Sequence, residues 1–185
     1  MKRLFGHIQN ILVHKYWVFK YGCDMGVGWR CLWHDMSKFH PTEFFESIKY
    51  YLGDSSPIPN CKRINGHSLA WQHHKGCNPH HYEYWTDNYD SGTTTIKMPY
   101  KYVLEMIADW FAAGRTYKGV NFSIDDELEW WRNKKLQNPS IHPETLLLID
   151  EIFKYICIHN NLNCIKELNK RLNKKYDDGD FGIFL

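Results

Sequence analysis

PYKYVLEMIADWFAAGRTY, residues 99–117, is the stretch on which the fold turns. Proline suits a first helical turn, and Val103, Met106, Ile107, Trp110 and Phe111 then recur at the spacing of a helix face turned toward a core. Within this apolar helix stands Asp109, flanked by Ala108, Ala112 and Ala113, which keep the helix slim. An unpaired buried carboxylate is costly, so Asp109 is expected in an ion pair, a hydrogen bond or a metal site unless it points to solvent.

Upstream, Leu4, Phe5, Ile8, Ile11, Leu12, Tyr16 and Phe19 predict an amphipathic helix over about 3–21, ending near Gly22 and carrying His14. A second helix is expected after Gly26 and Gly28, with Trp29, Leu32, Trp33, His34, Asp35 and Lys38 on it. Pro41 restarts the chain in a short helix to Tyr51. Residues 53–65, with Pro57 and Pro59, read as a loop. A helix over 67–75, another turn over 80–85 and a polar loop over 86–97 complete the first half.

Downstream, Ser123 with Asp125 and Asp126 marks a helix start running to about Lys135. Two further helical patterns cover 143–159 and 162–174, and the tail YDDGDFGIFL is expected to be loosely held. Without an alternating strand pattern or a repeat, the fold class is all-α: one domain over 1–185, with a core about 7–117 and a C-terminal helical cover about 123–175.

Composition narrows the function classes. The 185 residues are 43% hydrophobic, enough for a real core, and the formal charge of +2 lacks the basic excess of a dedicated nucleic-acid binder. Six cysteines without a C-x-x-C pair suit a reduced, cytoplasmic setting. The N-terminal apolar stretch is broken by polar residues, and no run approaches the roughly 18–20 apolar residues of a membrane span.

Histidine density is the unusual feature. Residues 71–85 read WQHHKGCNPHHYEYW, in which His73, His74, His80 and His81 fall within nine positions. Neutral imidazole is a common transition-metal ligand, and two pairs separated by a Gly and Pro turn can turn several rings into one pocket. Adjacent His34 and Asp35, about 100° apart on a helix, are close enough to meet one ion. Glu43 is a candidate to orient a metal-bound histidine, and Trp71, Tyr84 and Trp85 are candidates to stack on a base, although core packing is the commoner role of such rings.

The order His, His-Asp, His, His, Asp over about 7–115 resembles the HD-domain superfamily of metal-dependent phosphohydrolases, particularly its dinuclear members. H-D-M-S-K-F at 34–39, A-W-Q-H-H-K at 70–75, N-P-H-H-Y-E-Y-W at 78–85 and M-I-A-D-W at 106–110 look more closely like an uncharacterised HD-like family of bacteria and phages. The resemblance implies a compact helical bundle with additional C-terminal helices. It also implies a first metal held by His14, His34, Asp35 and Asp109, with Asp35 bridging to a second. One histidine of each pair, His74 and His81 being favoured, would complete the second set. Lys38 matches the lysine of H-D-x-x-K and would neutralise a substrate phosphate, with His73 or His80 as general acid.

The implied cofactor is one or two divalent ions, manganese or iron by preference, with magnesium, zinc, cobalt or nickel also open. The implied substrate is a small phosphorylated compound such as a nucleotide. The G-Y-P motif of cyclic-dinucleotide phosphodiesterases is absent, and the histidine pairs lie closer together than usual, which weighs against that specificity. Two other readings stand beside hydrolysis: an HD-type di-iron oxygenase, and a non-catalytic module stapled by a closed metal site.

Overall fold

The computed structural model describes residues 2–53, 55–90, 92–137 and 139–179. The expected all-α class holds, with nine α-helices and one small two-stranded sheet among the described residues. Helix α1 (Lys2–Asp24) lies along α6 (Tyr100–Lys118), and these two form the spine of the molecule. The buried face of α6 carries Val103, Leu104, Met106, Ile107 and Phe111, each with no exposed surface. Leu148, Ile149, Ile152 and Ile156 of α8 (Pro143–His159) and Ile165 of α9 (Cys164–Asp177) close on the same cluster. One core therefore runs from Val18 to Tyr176.

Helix α7 (Ile124–Leu136) begins where expected, with Ser123 and Asp126 exchanging side-chain and backbone hydrogen bonds in a capping box. The C-terminal segment differs from expectation. Helix α9 runs on to Asp177, and the fully buried Tyr176 donates to the Met98 carbonyl at 2.6 Å and meets the Thr145 hydroxyl at 2.8 Å. The tail is thus pinned as far as Tyr176, because one aromatic ring outweighs the polar sequence around it; residues 180–185 of that expectation lie outside the described residues.

Three local expectations fail for identifiable reasons. Residues 57–65 are a helix, α4 (Pro57–Asn65), not a loop. Both prolines fall in its first turn, where a missing N–H costs nothing, Ser56 caps it and Gly66 ends it at φ 78°. Part of the expected polar loop pairs as β1 (Thr86–Tyr89) with β2 (Gly92–Thr95), antiparallel, Thr86 opposite Thr95. Threonine-rich polar strands of four residues carry too little apolar alternation to announce themselves.

The third failure matters most. Helix α2 is only Gly28–Leu32, so His34 and Asp35 lie on the turn that follows it, with Asp35 in the left-handed region at φ 55°, ψ 34°. Asp and Asn adopt that region more readily than most residues. A 3-10 turn, Met36–Phe39, leads into α3 (Pro41–Tyr50), and α5 (Leu69–Cys77) packs against α3. The turn expected over 80–85 is a second 3-10 turn, Tyr82–Trp85, with His80 and His81 just before it. Helix α2 is seated by close approach: a Cβ on Gly28 would stand 2.3 Å from Cys23 Sγ and 3.1 Å from Cys23 Cα.

Candidate metal centre

His14, midway along α1, and Asp109, midway along α6, face each other across the spine, with His14 Nε2 2.9 Å from Asp109 Oδ1. His34 enters from the turn and brings its Nε2 to 3.3 Å from Asp109 Oδ1 and 3.1 Å from Asp35 Oδ2. Each of these four residues offers one donor atom within 4.8 Å of the others. A second set with the same property joins Asp35, His74, His80 and His81. There His74 Nε2 lies 3.4 Å and His80 Nε2 3.3 Å from Asp35 Oδ1. Asp35 therefore turns one oxygen to each set.

Two glutamates hold the rings from behind. Glu105, one helical turn before Asp109, has its Oε1 3.2 Å from His34 Nδ1 and 3.4 Å from His80 Nδ1, while its Oε2 pairs with Arg30. Although His34, His80 and Glu105 also group as potential donors, Glu105 meets the Nδ1 atoms, so its geometry is that of an orienting partner. Glu43 stands likewise behind α5, at 2.8 Å from His74 Nδ1 and 2.6 Å from His73 Nδ1. A carboxylate on Nδ1 fixes the tautomer and presents Nε2 forward.

The donor set fits a transition-metal ion. Ligands about 2.1 Å from a shared ion stand about 3.0 Å apart at right angles and about 3.4 Å apart at tetrahedral angles, the range found here. The Nε2 atoms of His14, His34 and His80 and Asp35 Oδ1 are buried and make their short contacts with other potential donors of the two sets. His81 Nε2 is buried with no hydrogen-bond partner among the described residues, and Asp35 Oδ2 also meets the Lys38 ammonium at 2.7 Å. Buried imidazole nitrogens and carboxylate oxygens gathered on common points, one of them with no other partner, form the pattern that coordination explains.

Electrostatics agree. Burial alone would raise Asp35 and Asp109, yet both are held well below the usual carboxylate range, Asp35 by His34, Lys38 and His74, and Asp109 by His14 and His34. Burial, then Lys38, lowers His14; burial, then the rings of His80 and His74, lowers His81. Ionised Asp35 and Asp109 and neutral rings at His14 and His81 are in the forms that bind metal. For His34 burial opposes charge, but Asp35, Asp109 and Glu105 overcome it and raise the ring well above its ordinary value. That pull is the demand for positive charge that clustered buried acids create.

A cavity of about 180 Å³ opens onto both sets, where His14, Asp35, His74, His81 and Asp109 share its wall with Lys38. The ammonium stands 2.7 Å from Asp35 Oδ2; burial works against its charge, and Asp35 and Asp109 more than restore it.

Residues 3–155, from the start of α1 into α8, match the model of a family of unknown function, DUF5662. The chain belongs to this family. No curated protein and no protein of solved structure matches it.

The matched span holds every residue of both sets. In this DUF5662 chain His14, His34, Asp35 and Asp109 come together as one group, and of the two histidine pairs His74, His80 and His81 join the other. His80, expected as a general acid, is 2% exposed and stands among the donor atoms. His73 does not line the cavity: its Nδ1 is on Glu43, its ring stacks on His40 at 4.3 Å, and the Cys77 thiol lies 3.7 Å from its Nε2. The stacking platform is not assembled either. Trp71 reaches the cavity but meets His81 edge-on at 5.1 Å, while the Trp85 indole donates to the Pro79 carbonyl and packs on Tyr102.

Glu105 and His7 escaped the sequence reading. Both carried a signal: Glu105 is four residues before Asp109 and His7 seven before His14, so each shares a helix face with a candidate ligand.

Proposed function

We propose that this DUF5662 chain is a metal-dependent phosphohydrolase of the HD type that cleaves a phosphoester of a small phosphorylated compound. The observation that carries the reading is Asp35, whose two oxygens face two imidazole-rich sets that open onto one cavity beside the partly buried Lys38 ammonium. The proposed cofactor is two divalent ions, manganese or iron by preference, in the sets His14, His34, Asp35, Asp109 and Asp35, His74, His80, His81. Such ions supply Lewis-acid polarisation of a phosphoryl oxygen and a water acidified toward neutral pH.

The chain's own residues do the rest. Lys38 neutralises a phosphoryl oxygen from the cavity wall. Glu105 and Glu43 orient the rings, so neither His34, His74 nor His80 must reorganise when the charge of the phosphoryl group shifts. A cavity that reaches the donor atoms favours an open site over a closed structural staple. The donors alone also suit a di-iron oxygenase, which oxygen uptake distinguishes. No helix among the described residues is long and apolar enough to cross a membrane, and the free cysteines support a reducing, cytoplasmic setting.

The test is elemental analysis of tag-free protein with His34→Ala and Asp109→Ala beside it, followed by phosphate release from a panel of phosphoesters with an oxygen-uptake control. About two equivalents of manganese or iron, reduced in both variants, with phosphate release and no oxygen uptake, are expected. Wild-type protein that takes up no metal after reconstitution refutes the proposal.

A further inference from the structure

The metal sets account for only part of the cavity's lining. Another stretch comes from the face of α1 that also carries His14, with Asn10 one turn and His7 two turns before it, and from the end of α6 at Tyr117. His7 is 6% exposed, and its Nδ1 has no hydrogen-bond partner among the described residues. Its ring is fixed between Tyr51, at 5.3 Å between centroids, and Phe44, at 6.2 Å. Asn10 Nδ2 donates to the Tyr117 hydroxyl at 3.3 Å, which sets amide and phenol side by side on the same wall. A buried ring nitrogen without a partner, held rigidly against a cavity, is a polar contact in search of a ligand.

Size and charge restrict that ligand. The cavity, at about 180 Å³, falls below the roughly 300–1,000 Å³ of sites for drug-sized molecules. Lys38 is the only lysine or arginine among the described residues that line it, enough to meet one phosphate but not a polyphosphate chain. Trp71, the tryptophan on its wall, already meets His81 edge-on at 5.1 Å and the Lys62 ammonium at 5.1 Å, which leaves it less available to stack on a base. The remaining polar groups are an imidazole, an amide and hydroxyls, which pair with hydroxyl groups as both donors and acceptors.

We infer that the cavity takes a compact hydroxylated phosphomonoester, a phosphate on a polyol of a few carbons, in preference to a nucleotide, and that His7 and Asn10 read its hydroxyls. This rests on the phosphohydrolase reading, since it assigns the phosphate to the metal sets and Lys38. Burial, then Lys38, lowers His7 to about 4, so its ring stays neutral at physiological pH and offers one donor and one acceptor. His7 and Asn10 act on the alcohol part of the molecule and Lys38 on the anion, a division that binding can separate.

The experiment is calorimetric titration of the manganese-reconstituted full chain with inorganic phosphate, glycerol phosphate and adenosine monophosphate. Glycerol phosphate is expected to bind at least about tenfold more tightly than phosphate, and adenosine monophosphate no more tightly than phosphate. His7→Leu and Asn10→Leu are each expected to weaken glycerol phosphate about three- to tenfold and to leave phosphate unchanged. Melting curves establish that each variant is folded, and if one is not, the other decides. Wild-type protein that fails to bind phosphate refutes the phosphohydrolase reading and this inference with it. Phosphate binding with no gain for glycerol phosphate, equal affinity for adenosine monophosphate, or a gain that survives both variants refutes the cavity assignment alone.

Discussion

Glu105 and Glu43 stand in the same relation to histidine rings but not to the two donor sets, and that asymmetry yields the sharpest expectation. Glu105 Oε1 is 3.2 Å from His34 Nδ1, in the first set, and 3.4 Å from His80 Nδ1, in the second. Glu43 reaches only the second, through His74 at 2.8 Å. In Glu105→Gln the oxygen shared by the two Nδ1 atoms loses its negative charge, while the new NH2 faces a ring or Arg30, both of them donors. Loss of such an orienting partner typically costs about 10- to 100-fold in metal affinity, or about 1.4 to 2.7 kcal/mol. Glu105→Gln is therefore expected to weaken both ions by that factor, and Glu43→Gln only one. Manganese competition against a chromogenic chelator, fitted to two sites, measures this, with melting curves taken on the metal-free proteins. Equal effects of the two variants on both sites, or Glu105→Gln within about twofold of wild type at each, would refute the division of labour.

Three further expectations concern the frame. Burial, opposed by Lys118 and aided by Asp126 and Asp109, raises Glu127 to about 7 from 4.5, so its contribution is fully present below pH 4.5 and is lost as pH rises through 7. Glu127→Gln is expected to match wild type near pH 4 and to exceed it by about 3 kcal/mol, roughly 6–12 °C in melting midpoint, above pH 8; parallel pH profiles count against it. Tyr176→Phe removes the partner of the Met98 carbonyl and the Thr145 hydroxyl, and chemical denaturation is expected to show a loss of about 1–3 kcal/mol. Gly28→Ala drives a methyl against Cys23 and is expected to cost about 1–3 kcal/mol in the same assay, with weaker manganese binding because α2 delivers His34.

What was legible in the sequence follows from what each signal needs. Helices α1, α6, α7 and α8 rest on repeated apolar spacing or on cap chemistry, both local, and their limits fall within about three residues of the structure's. Asp109 was legible because a carboxylate in so apolar a helix is conspicuous wherever the helix packs. The histidine pairs were legible as a cluster but not as individuals, since whether His73 or His74 turns inward depends on where α5 docks on α3, which nothing local records. Glu105 was hidden for another reason: beside Asp109 it reads as a second surface acid, and only the arrival of His34 and His80 from distant turns gives it a task.

The misread helix at His34 and Asp35 carries the most instruction. On a continued helix the two side chains diverge by about 100°, and Asp35 could have met His34's partners or those of α5 with ease, but not both. Helix α2 instead ends at Leu32, and the left-handed Asp35 swings its carboxylate between Nε2 of His34 on one side and Nε2 of His74 and His80 on the other. The same turn places Lys38, in the following 3-10 segment, 2.7 Å from that carboxylate instead of one α-helical turn beyond His34. A backbone conformation that few residues tolerate thus decides whether the molecule has one donor set or two sharing an acid. Asparagine tolerates the left-handed region as well as aspartate does but lacks the charge. An Asp35→Asn chain that keeps its fold and loses both ions would locate the function in the carboxylate, and one that keeps an ion in each set would show that the bridge is not needed.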